Sequence, residues 1–261
     1  MRVDATGLSV RAGRLKILQD LTVSVLSGEF VGILGPSGCG KSTLLRALSG
    51  QQKLAGGKVF LDGKELRDTS QLGFVPQDDI VHTSLTVEKA LQYSARLRLP
   101  DVDTGPAVEE VIGQLELGER RKTRIERLSG GQRKRVSIGV ELLTKPAVLF
   151  LDEPTAGLDP ALEEQFMDLC RQLARQNRTV LMTTHVMQSL DRLDLVVVMC
   201  AGRLVYFGPP AQVAGFFGVA HLNDIYRQLS AAAAEGLASR YAGSSLAQQY
   251  VQGRQLPAQK V

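Results

Sequence analysis

The sequence predicts an α/β fold: a parallel sheet covered by helices on both faces and interrupted by a mostly helical insertion at about residues 78–145. Three observations carry this. Continuous apolar or β-branched runs at Phe30–Leu34, 147–151, Thr179–Thr183 and 195–199 read as strands buried on both faces. Helical stretches separate the later runs, the alternation that gives parallel sheets. Between Thr86 and Leu143 the hydrophobic period changes from that of a strand to that of a helix.

Taken in order, Leu21, Val23 and Val25 alternate as a half-buried strand and lead into the run Phe30–Leu34. A helical run follows at 44–48, then short strand signals at 58–61 and 73–75. Val87, Ala90, Leu91, Ser94 and Leu97 share one helix face, and Val108, Val111, Ile112 and Leu115 another; 132–143 is a third helix. The strand signals then return. From Ala231 the chain turns Ala-, Ser-, Gln- and Gly-rich, the composition of a weakly ordered tail. The expected organisation is a domain at 1–230 followed by a linker or tail at 231–261.

Composition narrows the function. The 261 residues are 44% hydrophobic and 22% charged, with a net charge of +4 and only short basic runs such as Arg133-Lys134-Arg135. Aromatics make up 5% and Trp is absent, so stacking platforms for bases are lacking and nucleic acid is not an expected partner. The longest apolar run, 195–201, is far short of the ~20 residues that span a bilayer. Cys39, Cys170 and Cys200 show no metal-ligand spacing, which suits a reducing compartment.

Three motifs carry chemistry. Gly35-Pro36-Ser37-Gly38-Cys39-Gly40-Lys41-Ser42-Thr43 is a phosphate-binding loop placed between a strand and a helix. Its glycines let backbone N–H groups curl around phosphates, the helix start adds a positive end, Lys41 supplies a charge and Ser42 a hydroxyl for Mg²⁺. The run 147–151 ends in Asp152-Glu153. Ligands of open α/β sheets sit at the carboxyl ends of strands, so both acids are expected beside the loop, Asp152 on Mg²⁺ and Glu153 on the attacking water. Ser129-Gly130-Gly131-Gln132 opens a helix with Ser129 as its cap, a second anion site of free N–H groups. One nucleotide does not need two such helix ends, and two copies of the chain facing one triphosphate would use both.

Together with His185, these motifs resemble the nucleotide-binding domain of ATP-binding cassette proteins over roughly residues 1–220. The resemblance implies a P-loop NTPase (RecA-like) core, an antiparallel β subdomain and an inserted helical subdomain. It implies ATP and Mg²⁺ as ligands, and a second copy or homologous domain and a transmembrane permease as partners. Residue by residue, it implies that Gln77 senses Mg²⁺ and the attacking water, that Asp159 touches the other protomer, and that His185 contacts the γ-phosphate. Gln77 read alone is equally a polar turn residue, and Asp159 an N-cap before Pro160. The chain has no aromatic upstream of the phosphate loop on which adenine could stack; Arg11, Arg14 or Val10 stand in that region instead.

Finer features, Arg133–Ile138 after Ser129–Gln132 and Leu204–Pro210 after His185, resemble the white-type (G) subfamily and its bacterial ABC-2 type relatives, which are exporters. That likeness implies an ATPase domain at the cytoplasmic face of a membrane, peripheral through its permease. It places a coupling segment at 86–97 and a connector near Asp224-Ile225-Tyr226. The alternatives are a soluble cassette ATPase without a transport role and the detached ATPase subunit of an importer.

Overall fold

The structure is a computed structural model and describes residues 1–185 and 189–255. Its centre is a six-stranded sheet in the order β10-β9-β3-β8-β7-β6. The strands are β3 (Phe30–Leu34), β6 (Leu72–Val75), β7 (Val148–Leu151), β8 (Thr179–Thr183), β9 (Leu195–Cys200) and β10 (Arg203–Gly208). All neighbours pair in parallel except β10, which returns antiparallel to β9. Strands β3, β7, β8 and β9 are buried at every position, as their unbroken apolar sequences require of strands covered on both faces.

A second sheet is antiparallel, in the order β2-β1-β4-β5, with β1 (Val3–Ala12), β2 (Leu15–Val25), β4 (Gly56–Leu61) and β5 (Lys64–Glu65). Between the sheets in sequence lies α1 (Lys41–Leu48). Between β6 and β7 the chain runs through α2 (Val87–Arg98), α3 (Gly105–Gln114) and α4 (Gly130–Leu142). Gly139 in α4 lets these three pack closely: a Cβ there would lie 3.0–3.1 Å from Leu115, Leu91 and Val111. Helix α5 (Pro160–Arg175) crosses from β7 to β8.

Register aligns the carboxyl ends of the central strands. Ile33 pairs with Thr183, Leu151 with Met182 and Val75 with Leu151. The loops after β3, β6, β7 and β8 therefore open on one edge of the sheet, and these are the loops that carry Gly35, Gln77, Asp152 and His185.

The stretch from Ala231, read from composition as weakly ordered, is folded against the domain as far as Arg254. Helix α6 (Pro210–Phe217) and the short α7 (Ile225–Gln228) lead into α8 (Ala234–Ala242), which lies on β10. Tyr241 is buried and its hydroxyl donates to the Phe207 carbonyl at 2.8 Å. Arg254 forms an ion pair with Glu29 at 2.8 Å. Composition hid this order because small residues pack as readily against a sheet as they populate a linker. Residues 256–261 of the expected tail lie outside the described residues. No described helix is long and apolar enough to cross a membrane.

Candidate active site

The loop 35–40 joins β3 to α1 through left-handed glycines. Gly35, Gly38 and Gly40 have φ of 149°, 75° and 105°. A Cβ on Gly35 would lie 2.4 Å from the Met199 carbonyl and 2.6 Å from Cys39 Sγ, so the loop's path requires glycine there. Ser37 and Gly38 are exposed at its crest, while Pro36, Ser42 and Thr43 are half-buried. Lys41, the first residue of α1, is buried and donates from Nζ to the carbonyls of Gly35 and Pro36 at 3.0 and 3.2 Å. Its ammonium is thus held beneath the arch that the loop makes.

The Cys39 backbone helps to close this arch, its N–H donating to the Pro36 carbonyl at 3.2 Å. Its thiol is buried, and desolvation pushes it up against the opposing pull of Lys41.

The two acids after β7 diverge. Asp152, 1% exposed, accepts at Oδ1 from the Ser42 hydroxyl and from the Thr183 hydroxyl, each at 2.8 Å. Glu153 has φ of 45°, left-handed for a residue with a side chain, and its carboxylate stands 3.9 Å from Lys41 Nζ. Its N–H donates to Thr183 Oγ1 at 2.7 Å. Thr183 therefore joins both acids, a role not assigned to it from sequence. The available signal was a hydroxyl at the carboxyl end of an apolar strand neighbouring the acid strand.

A buried carboxylate with hydroxyl partners and, among the described residues, no ion-pair partner is a fitting ligand for a small divalent cation. Magnesium retains waters and takes its remaining oxygens from phosphates, so one carboxylate beside Ser42 fits it without a three-ligand cluster.

Gln77 follows β6, whose last residue is fixed to the acid strand by Asp152 N–H donating to the Val75 carbonyl at 2.9 Å. The Gln77 carbonyl accepts a short hydrogen bond from Lys134 Nζ. His185 follows β8 and is exposed; its carbonyl accepts from the Tyr226 hydroxyl at 3.1 Å. Burial pushes the Tyr226 phenol up to about 12, with Cys39 and Glu153 adding to the shift. The fold therefore brings Lys41, Ser42, Asp152, Glu153 and Thr183 into contact and sets Gln77 and His185 on the same edge.

Ser129–Gln132 stands apart. Ser129 Oγ accepts from the Gln132 N–H at 3.3 Å while Gln132 Oε1 accepts from the Ser129 N–H at 3.1 Å, a complete capping box at the start of α4. A Cβ on Gly130 would meet Leu158 at 3.3 Å, and one on Gly131 would meet Leu162 at 3.9 Å. A cavity of about 210 Å³ opens beside Ser129, Gly131 and Gln132, with Arg120 and Arg135 on its wall. Among the described residues no hydrogen bond or ion pair links this helix end to Lys41, Ser42 or Asp152. Asp159 caps α5, its carboxylate accepting from the Leu162 N–H at 3.0 Å. Val10 is fully buried and cannot serve as a base platform, whereas Arg11 and Arg14 are exposed.

Comparison with known proteins gives a consistent result. A model of the ABC transporter family matches residues 18–156. An ABC transporter ATP-binding/permease protein of Mycobacterium tuberculosis is 41% identical over 236 residues, 84% of this chain and 27% of that protein. ATP-binding cassette sub-family G member 5 of Rattus norvegicus is 38% identical over 218 residues, 77% of this chain and 33% of its own. The chain thus spans about a quarter to a third of the length of these curated relatives. The ADP conformation of an ATP-binding cassette of an ABC transporter superposes with a TM-score of 0.74 at 24% identity, covering 82% of this chain and 95% of that one. That last likeness is one of fold.

Proposed function

This chain belongs to the ABC transporter family, as one of its ATP-hydrolysing domains, and from that premise we propose that two such domains close around two MgATP and drive export through a membrane permease. The observation that carries the dimer is the separation of two phosphate-type features within one chain. Among the described residues, the Lys41 loop has the acids beside it but no second helix end. The capped start of α4 offers free N–H groups and a cavity walled by Arg120, Arg135 and Glu116, with neither Lys41 nor the Asp152–Glu153 pair beside it among the described residues. A twofold pair, formed with a second copy or a homologous domain, sets Ser129 and Gly131 of one chain against Lys41 of the other and completes two sites at once.

In this reading the loop N–H groups and Lys41 hold the β- and γ-phosphates of ATP. Ser42, Asp152 and Gln77 would hold Mg²⁺, which when bound neutralises charge on the phosphate oxygens. Glu153 orients a water and takes its proton at a carboxylate oxygen as that water attacks the γ-phosphorus, while the bond from that phosphorus to the β–γ bridging oxygen breaks and ADP leaves. Its left-handed backbone turns its carboxylate toward Lys41 while Asp152 stays on Ser42, so the two acids keep separate tasks. His185 contacts the γ-phosphate, and Asp159 reaches the partner through the loop before α5.

The permease contact falls on the segment after Gln77. Ile80, Tyr93 and Leu97 are exposed, Leu97 at 84%, and Ile80, Leu85, Tyr93 and Leu97 line a cavity of about 340 Å³. An apolar patch of this kind is a docking surface in a chain whose relatives are named as permeases or G-type transporters. The domain would then sit at the cytoplasmic face of the membrane, held there by its permease.

Glu153→Gln tests the reading. Hydrolysis is expected to fall by on the order of 10²-fold or more while MgATP still binds, and sedimentation velocity is expected to show a monomer without nucleotide and a dimer with MgATP. Near-parent turnover would remove Glu153 as the base, and a monomer at saturating MgATP would remove the dimer.

A further inference from the structure

Helix α4 is fastened to strand β6 and the loop after it at two points. At its far end Glu141, buried, receives Arg98 through two hydrogen bonds of 2.6 and 3.0 Å and accepts from the Phe74 N–H at 3.3 Å. This end is a structural clamp between α2, α4 and β6. At the near end the fastening is made by Lys134, whose side chain is 9% exposed. A buried ammonium requires acceptors, and Lys134 finds two: the Gln77 carbonyl and Asp79 Oδ1, the latter at 3.1 Å. Asp79 is held further by the Ser137 hydroxyl at 3.3 Å and Arg133 Nε at 3.5 Å. Residues 133, 134 and 137 lie on one face of α4, so one carboxylate gathers a whole helical turn against the Gln77 loop.

We propose that Lys134 is a positioning residue: with Asp79 it ties the Gln77 loop to the Ser129 end of α4. Gln77, aimed at the chain's own ATP, and Ser129, aimed at the partner's, are then placed as one body. The proposal rests on the dimeric reading above. Lys134 is five residues beyond Ser129, which along a helix is about 8 Å, and Gln77 is two residues beyond the Val75 carbonyl that Asp152 holds. Two hydrogen bonds, Asp152 to Val75 and Lys134 to Gln77, joined by short runs of chain, therefore connect Asp152 to the Ser129 end of α4. With Glu141 fixing the other end of α4, losing the Lys134 link frees the orientation of the Ser129 end without unfolding the helix. The expected consequence is a defect in closing the dimer, with binding of nucleotide to the separate chain intact.

Sedimentation velocity on Glu153→Gln in MgATP reads this directly. Adding Lys134→Met is expected to raise the dimer dissociation constant by about tenfold, while the affinity of the monomer for a fluorescent ATP analogue is unchanged. Lys134→Arg, which keeps the charge and the donors, is expected to restore most of the loss. Asp79→Asn is expected to act in the same direction, and combined with Lys134→Met to fall short of the sum of the two, because they share the Lys134–Asp79 contact. If Lys134→Met does not fold, Asp79→Asn alone decides. Dimerisation of both variants at the parent constant overturns the link and leaves the dimeric reading standing. If Glu153→Gln itself stays monomeric in MgATP, the dimeric reading falls and the link falls with it.

Discussion

Cys39 shows how a motif position and its environment can point in different directions. Its place inside a phosphate loop suggests a thiol open to reagents. In the fold Sγ sits under Gly35, and burial raises its pKa, so little thiolate exists near neutral pH. Near neutral pH, alkylation of Cys39 in the folded chain is expected to run at least ~10-fold slower than in the urea-unfolded chain, read by mass spectrometry of the Cys39 peptide. Equal rates would mean that the loop opens far more than its packing implies. Glu153 and Thr183 make the complementary point. The acid pair is visible in sequence, but where each carboxylate lies depends on a left-handed residue and on a hydroxyl from another strand.

At the scale of elements, local chemistry sets the ends of helices. Ser129 and Gln132 satisfy each other's backbone N–H groups, so Ser129→Ala is expected to cost about 1 kcal/mol in urea unfolding. A loss within error would mean the box is not formed in solution. The runs read from sequence at Phe30–Leu34 and Thr179–Thr183 match β3 and β8 end to end, because strands buried on both faces leave an unbroken apolar signature. Strand β1 was not legible. Its pairing with β2 shifts register between Ala5 and Leu8, where Gly7 is left-handed, and again between Leu8 and Val10 and between Val10 and Arg11. Such irregularities break the period of two on which strand reading depends.

Across the whole molecule, the segment after β10 belongs to the body of the domain. Tyr206, Phe216, Phe217 and Tyr241 form one aromatic cluster, with ring centroids 5.1–6.3 Å apart. Deleting residues 231–255 removes Tyr241 and the cover over β10, and is expected to lower the melting temperature by roughly 10 °C. An unchanged melting curve would show that this cover contributes nothing to stability. The same segment carries Arg254, which closes on Glu29 at the start of β3, so the end of the described chain is tied back to the central sheet.

By itself the sequence determined the α/β class, the phosphate loop, the acid pair after β7 and the capped start of α4. Each is written in a short contiguous stretch whose periodicity, glycines or cap residues dictate local geometry. Only the tertiary structure decided that Thr183 joins Asp152 to Glu153, that Val10 is core, that Lys134 and Asp79 fasten α4 to the Gln77 loop, and that the Ala-rich segment is packed. These are contacts between residues far apart in the chain, set by sheet register and helix packing, and no local pattern encodes which distant partner arrives.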